Sequence, residues 1–340
     1  MATYYDIKGQ KVQYLSSDPS PVVPGQIWYN STTSTLKGEI NIASNTWSTG
    51  GTVPTVSDGI TSGGGGGSKT AGWLVGGLQY PGGSENKSWT YDGTSWTAGT
   101  NLPQGKTNMG STGPQTSGLL WGGTAPQPGT TTFEYDGSAW TSGGAFPSNE
   151  KEYPIGSGAS QTAALSMGGR GDPPPSGNTA VYSYNGTAWA TNPHSLPTAQ
   201  YNGAGDGPNT ATWIAGGAGP SPSTSAFTYN GSSWTAAAST NVSHTNLAPG
   251  QGFGITTDAL VCGGDGPTDS TSENYDGTCW SVGATMSTKR YYGGSGASSA
   301  GGTTNGYIAG GSTPTTSPTH SDATEEYTKA GPATVTITTS

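Results

Sequence analysis

Charge is scarce in this sequence. Only 9% of its 340 residues are Asp, Glu, Lys or Arg, against about 25% in an average globular protein. Lys and Arg number 11 against 20 acidic residues, giving a net charge of −9. No basic stripe is available to neutralise phosphates, which argues against nucleic acid and anionic membrane surfaces as partners. No apolar run approaches the roughly 18 residues of a spanning helix, so no membrane insertion is expected. The opening MATYYDIKGQ has no basic stretch followed by an apolar core, so no signal peptide is expected. Two cysteines, Cys262 and Cys279, are too few for a disulfide framework and read as small buried thiols. The three histidines, His194, His244 and His320, fall far apart without a ligand-like spacing, so no metal or other cofactor is expected.

Turn formers and aromatics stand in place of charge. There are 59 Gly and 24 Pro, about a quarter of the chain, a composition that would suit disorder without the 11 Trp and 17 Tyr. Those aromatics bury much area per residue and point to a folded, turn-dense β protein.

Their arrangement is periodic. Glycine doublets end short apolar runs at Gly76-Gly77, Gly122-Gly123, Gly168-Gly169, Gly216-Gly217, Gly263-Gly264 and Gly310-Gly311, spaced 46, 46, 48, 47 and 47 residues apart. A period of 40–50 residues built from short strands points to a β-propeller. After five doublets comes a variant of one phrase: YDGTSW, YDGSAW, YNGTAW, YNGSSW and YDGTCW. Each repeat therefore reads as four strands: an inner one rich in Gly, Ala and Ser, the doublet strand, a Tyr strand and a Trp strand. The Asp-Gly or Asn-Gly pair reads as a two-residue type I′ hairpin turn. That turn would set Tyr91 opposite Thr94 and Trp89 opposite Trp96. The same register pairs Phe133 with Trp140, Tyr182 with Trp189 and Phe227 with Trp234, and leaves Glu273 opposite Trp280. Cys262 and Cys279 would then sit two strands apart, about 9–10 Å, beyond disulfide reach.

The sixth doublet is followed by EEYTKAG, which has no Trp, but WSTGGTVP from Trp47 matches WTAGTNLP from Trp96. A sixth blade closed by an N-terminal strand around Trp47 is therefore expected. ATVTITTS near the C-terminus is the competing closing strand, or an extra edge beside the N-terminal strand. The expected division is an anchor or assembly segment over 1–35, an all-β, six-bladed propeller over 36–330 and a tail over 331–340.

The doublet followed by Tyr and Trp resembles the kelch repeat, most closely in LVCGG…ENYDGTCWSVGATMSTKR, whose Met286 and Arg290 match the Met-x-x-x-Arg ending of that family. The other repeats lack the Arg. The resemblance implies the propeller fold and no single function. A second resemblance lies at the start: PGQIWYNSTTSTLKGEI is similar to the N-terminal segment of kelch-like virion proteins of tailed marine bacteriophages. It implies a non-enzymatic structural or fibre protein located in the virion in several copies. Such a protein would contact other virion proteins through its N-terminal segment and a host-surface glycan or protein through its loops. Ile27, Trp28 and Tyr29 are then assembly candidates, since strand-like KVQYL and QIWYN could extend another chain's sheet. A bacterial extracellular carbohydrate- or protein-binding propeller is the alternative.

Motifs of catalysis are weak. The repeated phrase superficially resembles the Asp-box of sialidases, but lacks the residue between Asp and Gly and accepts Asn at Asn185 and Asn230. SGGGGGS at 62–68 has no phosphate-loop frame and reads as a flexible approach to an inner strand. Copper oxidases related to kelch need a Tyr–Cys crosslink with His ligands, and no such constellation is identifiable. The divergent part of each repeat is the loop after the doublet and the connection after the Trp strand, both on the face opposite the Asp-Gly turns. Binding favours such loops. The candidates there are Glu85, Lys87, Arg170, Asp172, Asp265, Asp269 and His320, with Lys106, Lys289, Arg290 and Tyr291 from the connections.

Overall fold

The computed structural model describes residues 12–22, 25–42, 44–54, 61, 63–79, 83–124, 129–147, 152–171, 177–218, 223–247, 250–264, 270–296, 302–313 and 320–337. Asp172, Asp265 and Asp269 lie outside them. The chain is all-β and propeller-like in architecture. Its described residues form seven four-stranded sheets and one two-stranded ribbon. They divide into a smaller unit, Met1–Thr46 with Lys329–Ser340, and a larger one, Trp47–Thr328.

The smaller unit holds one sheet, in the order Gln13–Leu15, Ile27–Asn30, Thr35–Ile42, Gly331–Thr336. Thr35–Ile42 pairs on both sides, with Ile27–Asn30 and with the C-terminal strand, so this unit takes in both more than the expected 1–35 and the expected tail. The buried Trp28 indole and the Asn30 amide both donate to Asp18 Oδ1, at 2.9 and 2.7 Å, and Lys37 Nζ reaches Oδ2 at 2.7 Å. These bonds from Lys37, Asn30 and Trp28 hold the Asp18 carboxyl down at about 2. The strand that holds Ile27, Trp28 and Tyr29 is flanked on both sides, so it presents no free backbone edge to another chain's sheet. The described edge strands are Gln13–Leu15, which carries the exposed Tyr14 stacked on Tyr29, and Gly331–Thr336.

The larger unit holds six antiparallel sheets. Five run in sequence order: the first contains Gly64–Ser68, Ala71–Val75, Ser88–Tyr91 and Trp96–Ala98, and the second through fifth repeat that order. The sixth contains Gly294–Gly296, Tyr307–Ala309, Thr324–Thr328 and, fourth, Thr46–Thr49 from near the N-terminus. The first strand of each sheet lies against that of the next. Ser111 Oγ donates to Gly65 O at 2.9 Å, Thr112 Oγ1 donates to Gly158 O at 2.9 Å, and Ser295 Oγ donates to Gly252 O at 3.4 Å. A Cβ on Gly205 would stand 2.6 Å from Ile155, one on Gly252 2.6 Å from Ala204, and one on Gly296 2.6 Å from Gly66.

The glycine run proves to be a strand, not a flexible approach to one. A Cβ on Gly66 would meet Gly113 O at 2.6 Å, and one on Gly64 would meet Leu120 at 2.5 Å, so close approach of backbones demands glycine there. The doublets end the second strands for a related reason. Gly76 and Gly77 adopt φ of +63° and +93°, and a Cβ on Gly76 would stand 2.7 Å from Lys106 O.

The repeated phrase folds into a longer turn than expected. Trp96 faces Tyr91 and Ala98 faces Trp89, so four residues, Asp92 to Ser95, form the loop. Asp92 Oδ1 accepts the N–H groups of Thr94 and Ser95 at 2.8 and 2.7 Å, and of Asp92 and Gly93 only Gly93 has positive φ. That excludes type I′, which needs positive φ at both. Asp136, Asn185, Asn230 and Asp276 accept the same pair of N–H groups. The turn uses one side-chain oxygen, which Asp and Asn both supply, and this explains their interchange. The consequence is a Tyr packed face to face with Trp five times, three pairs stacked and two tilted by 31–38°, with ring centroids 4.8–5.0 Å apart. Each pair contributes about 0.5–1.5 kcal/mol beyond area burial.

Glu273, the exception in the expected pairing, is a buried acceptor. It takes the N–H of Asn241 at 2.8 Å, that of Val242 at 3.1 Å, and faces His244 Nε2 at 3.1 Å. Glu325 repeats the arrangement one sheet later, accepting from Ser287 N, Thr288 N and Arg290. Both cysteines are free: Cys262 is buried and Cys279 exposed. The expectation of a buried thiol therefore fails for Cys279, which sits in the exposed Asp276 turn.

Candidate functional site

Within each of the first five sheets the Asp or Asn turn closes one end, and the loops after the doublets and after the fourth strands open at the other. The loop end carries a second repeated position that the glycine and tryptophan spacing does not reveal. Asn108, Tyr153, Asn202, Asn246 and Tyr292 all adopt left-handed φ, between 55° and 57°. Asn108 is the second residue of its first strand, Thr107–Thr112, and the other four stand ahead of a first strand or of the segment leading into one. Backbone bonds link them in series: Tyr153 N donates to Asn108 O, Asn202 N to Tyr153 O, Leu247 N to Asn202 O and Tyr292 N to Asn246 O, at 2.9–3.2 Å. Asparagine enters this conformation readily. A tyrosine there costs about 1–2 kcal/mol, and such strain clusters at functional positions.

The two tyrosines meet. Their rings stack at 5.6 Å with an interplanar angle of 25°, although they come from the third and sixth sheets. Arg170, immediately after the third doublet, places its guanidinium 5.2 Å from the centre of Tyr153 and pairs with Glu152. Reciprocal backbone bonds between Arg170 and Glu152 fix that pair. Tyr291 meets Tyr292 edge-on at 5.2 Å. Tyr292 donates to Asn246 Oδ1 at 2.8 Å, and Asn202 Nδ2 donates to the same oxygen at 3.1 Å. Burial pushes the phenols of Tyr153 and Tyr292 above the ordinary range, so both remain protonated donors at neutral pH.

Of the residues expected on this face, the structure brings Arg170 and Tyr291 into one array. Glu85 and Lys87 form a half-exposed pair of their own at 3.6 Å. Lys289 is exposed, and His320 bridges to Ser312 in the backbone. Two candidates belong to the scaffold instead. Arg290 is 0% exposed: it donates to Gly310 O and Ala323 O at 2.9 Å and pairs with Glu325 at 2.9 Å. Lys106 is 2% exposed, and burial lowers its pKa. Neither is a solvated loop side chain. Tyr153, Asn202, Asn246 and Tyr292 were missed because they fall in the irregular connection. The signal was the dipeptides Thr107-Asn108, Glu152-Tyr153, Tyr201-Asn202, Thr245-Asn246 and Tyr291-Tyr292, the first opening its strand and the rest lying ahead of a small-residue strand.

Between the first strands lies a cavity of about 300 Å³, lined mostly by glycine backbone together with Ser111, Thr112, Gln115, Asp206 and Ser295. Asp206 keeps part of its surface open to this cavity, while the protein packed around it pushes its carboxyl up to about 7 against bonds from Gly254 N and Gly207 N. No known family model matches the chain, and comparison with curated proteins finds no match.

Proposed function

We propose that the larger unit is a six-bladed kelch-like propeller and that the chain is a non-enzymatic structural protein of a tailed-bacteriophage particle. In this reading it is a fibre or surface appendage, present in several copies, and its loop face meets the host surface. The cyclic succession of first-strand contacts, from the sixth sheet back to the first, supports six blades. The place of Thr46–Thr49 as fourth strand of the sixth sheet supports closure there, and bonds join that sheet to the first: Tyr91 OH donates to Glu326 at 2.6 Å and Trp96 Nε1 donates to Thr324 Oγ1 at 2.8 Å.

The observation that carries the functional reading is the division between the two ends of the sheets. One end repeats the same acceptor turn and Tyr–Trp stack five times. The other keeps its backbone positions but changes its side chains, and it gathers Arg170, Tyr153, Tyr292 and Tyr291. Rigid scaffolds with variable loops are built for recognition. The virion part is supported by the segment that resembles phage proteins, which belongs to a compact unit distinct from the repeats. That unit offers Gln13–Leu15 as the strand that would meet a neighbouring virion protein.

Mass spectrometry and immunogold labelling of purified particles encoding the chain test the proposal. The protein is expected in multiple copies on the particle exterior. Its absence from particles, with secretion by a bacterial host instead, would overturn the virion reading.

A further inference from the structure

The array at the loop end has features that a packing role leaves unexplained. Three of the five left-handed positions hold asparagine, which suits that backbone. Two hold tyrosine, which does not, and those two stack on each other. The buried Asn202 Oδ1, on a residue 3% exposed, has no donor among the described residues. At the rim stand Arg170 and Glu152, half-buried, one a donor and the other an acceptor.

We propose that Tyr153, Tyr292, Asn202, Asn246, Arg170 and Glu152 form a binding site for a neutral sugar ring. This rests on the reading of the loop face as the recognition surface. A pyranose offers matching groups: C–H faces for the half-buried tyrosine rings, a hydroxyl donor for the unpartnered Asn202 Oδ1, and further donors and acceptors around the Glu152–Arg170 pair. An anionic ligand fits less well, because Glu152 already neutralises Arg170 and the chain carries −9. An extended peptide would need an open strand edge, and the backbones here are paired, Glu152 with Arg170 and Tyr291 with Ser312. An apolar ligand would strand the amides and the ion pair.

The variant Tyr153→Asn/Tyr292→Asn installs the residue that the other three positions use. Binding is read on an array of immobilised neutral oligosaccharides of glucose, galactose, mannose and N-acetylglucosamine. Wild type should retain at least one of them, the double variant at least tenfold less, and Asp136→Asn on the turn face as much as wild type. If the double variant fails to fold, Glu152→Gln decides, with a loss of about fivefold expected. No retained sugar for wild type, or unchanged affinity in the deciding variant, overturns the proposal. Adsorption of the protein to cells that the particle infects separates the two claims. Adsorption that survives the deciding variant keeps the recognition reading and removes the sugar site. No adsorption by wild type removes the recognition reading itself.

Discussion

Tyrosine has opposite relations to its backbone at the two ends of the larger unit. At the turn end, Tyr135 and Tyr275 lie in regular strands, buried, each packed on the tryptophan directly across the hairpin. At the loop end, Tyr153 and Tyr292 sit half-exposed on left-handed backbone and stack on each other. The first arrangement stabilises both backbone and core. The second strains the backbone for the sake of where the ring points. The same residue type therefore belongs to the scaffold in one place and, in the reading proposed above, to a recognition surface in the other, and burial together with φ tells the two settings apart.

The largest effect expected comes from a loop-end residue that belongs to the scaffold. Arg290→Ala removes the buried partner of Glu325 and leaves Gly310 O and Ala323 O without their donor. Breaking such a pair costs about 3–5 kcal/mol, to be read as a lower urea midpoint. A loss below about 1 kcal/mol would place Arg290 with the free loop residues instead. Asp206 gives the next effect, through pH. Its carboxyl is raised to about 7 in the folded state from an ordinary 3.8. The unfolded chain therefore releases this proton first, and Asp206 takes stability away as pH rises from about 4 to 7, with no further change above 7. Asp206→Asn should match wild type below pH 4 and exceed it by up to a few kcal/mol above pH 7. Equal slopes across that window would contradict the assignment. The smallest effect belongs to the turns. Asp136→Asn should leave thermal stability within about 0.5 kcal/mol, while Asp136→Ala, which deletes the acceptor of Ser138 N and Ala139 N, should cost about 1 kcal/mol.

Much of the scaffold was legible because its signals are local and repeated. Doublets, the Tyr-to-Trp phrase and the WST tail at Trp47 each mark a strand end, and six sheets with that strand order follow them. The hairpin register was misread because Asp-Gly suggests a two-residue turn, whereas the Asp side chain caps a four-residue one and shifts every pair. Glu273 looked anomalous only under that register. The partner of Arg290 lies 35 residues away, on a strand whose place depends on the whole sheet, so no local pattern distinguishes it from the exposed Lys289. The candidate site was half legible. Arg170 and Tyr291 were found from loop divergence. Tyr153 and Tyr292 were missed because a left-handed backbone position has no fixed residue signature once tyrosine replaces asparagine.

The contrast between the two ends is tested most directly by thermal unfolding of two matched variants, Tyr135→Asn/Tyr275→Asn and Tyr153→Asn/Tyr292→Asn. The turn-end pair should lower Tm by on the order of 10 °C, because two buried rings packed on tryptophan are lost. The loop-end pair should shift Tm by less than about 3 °C, because relief of the left-handed strain offsets the lost stack. A loop-end drop as large as the turn-end drop would contradict the contrast, and would make Tyr153 and Tyr292 part of the scaffold.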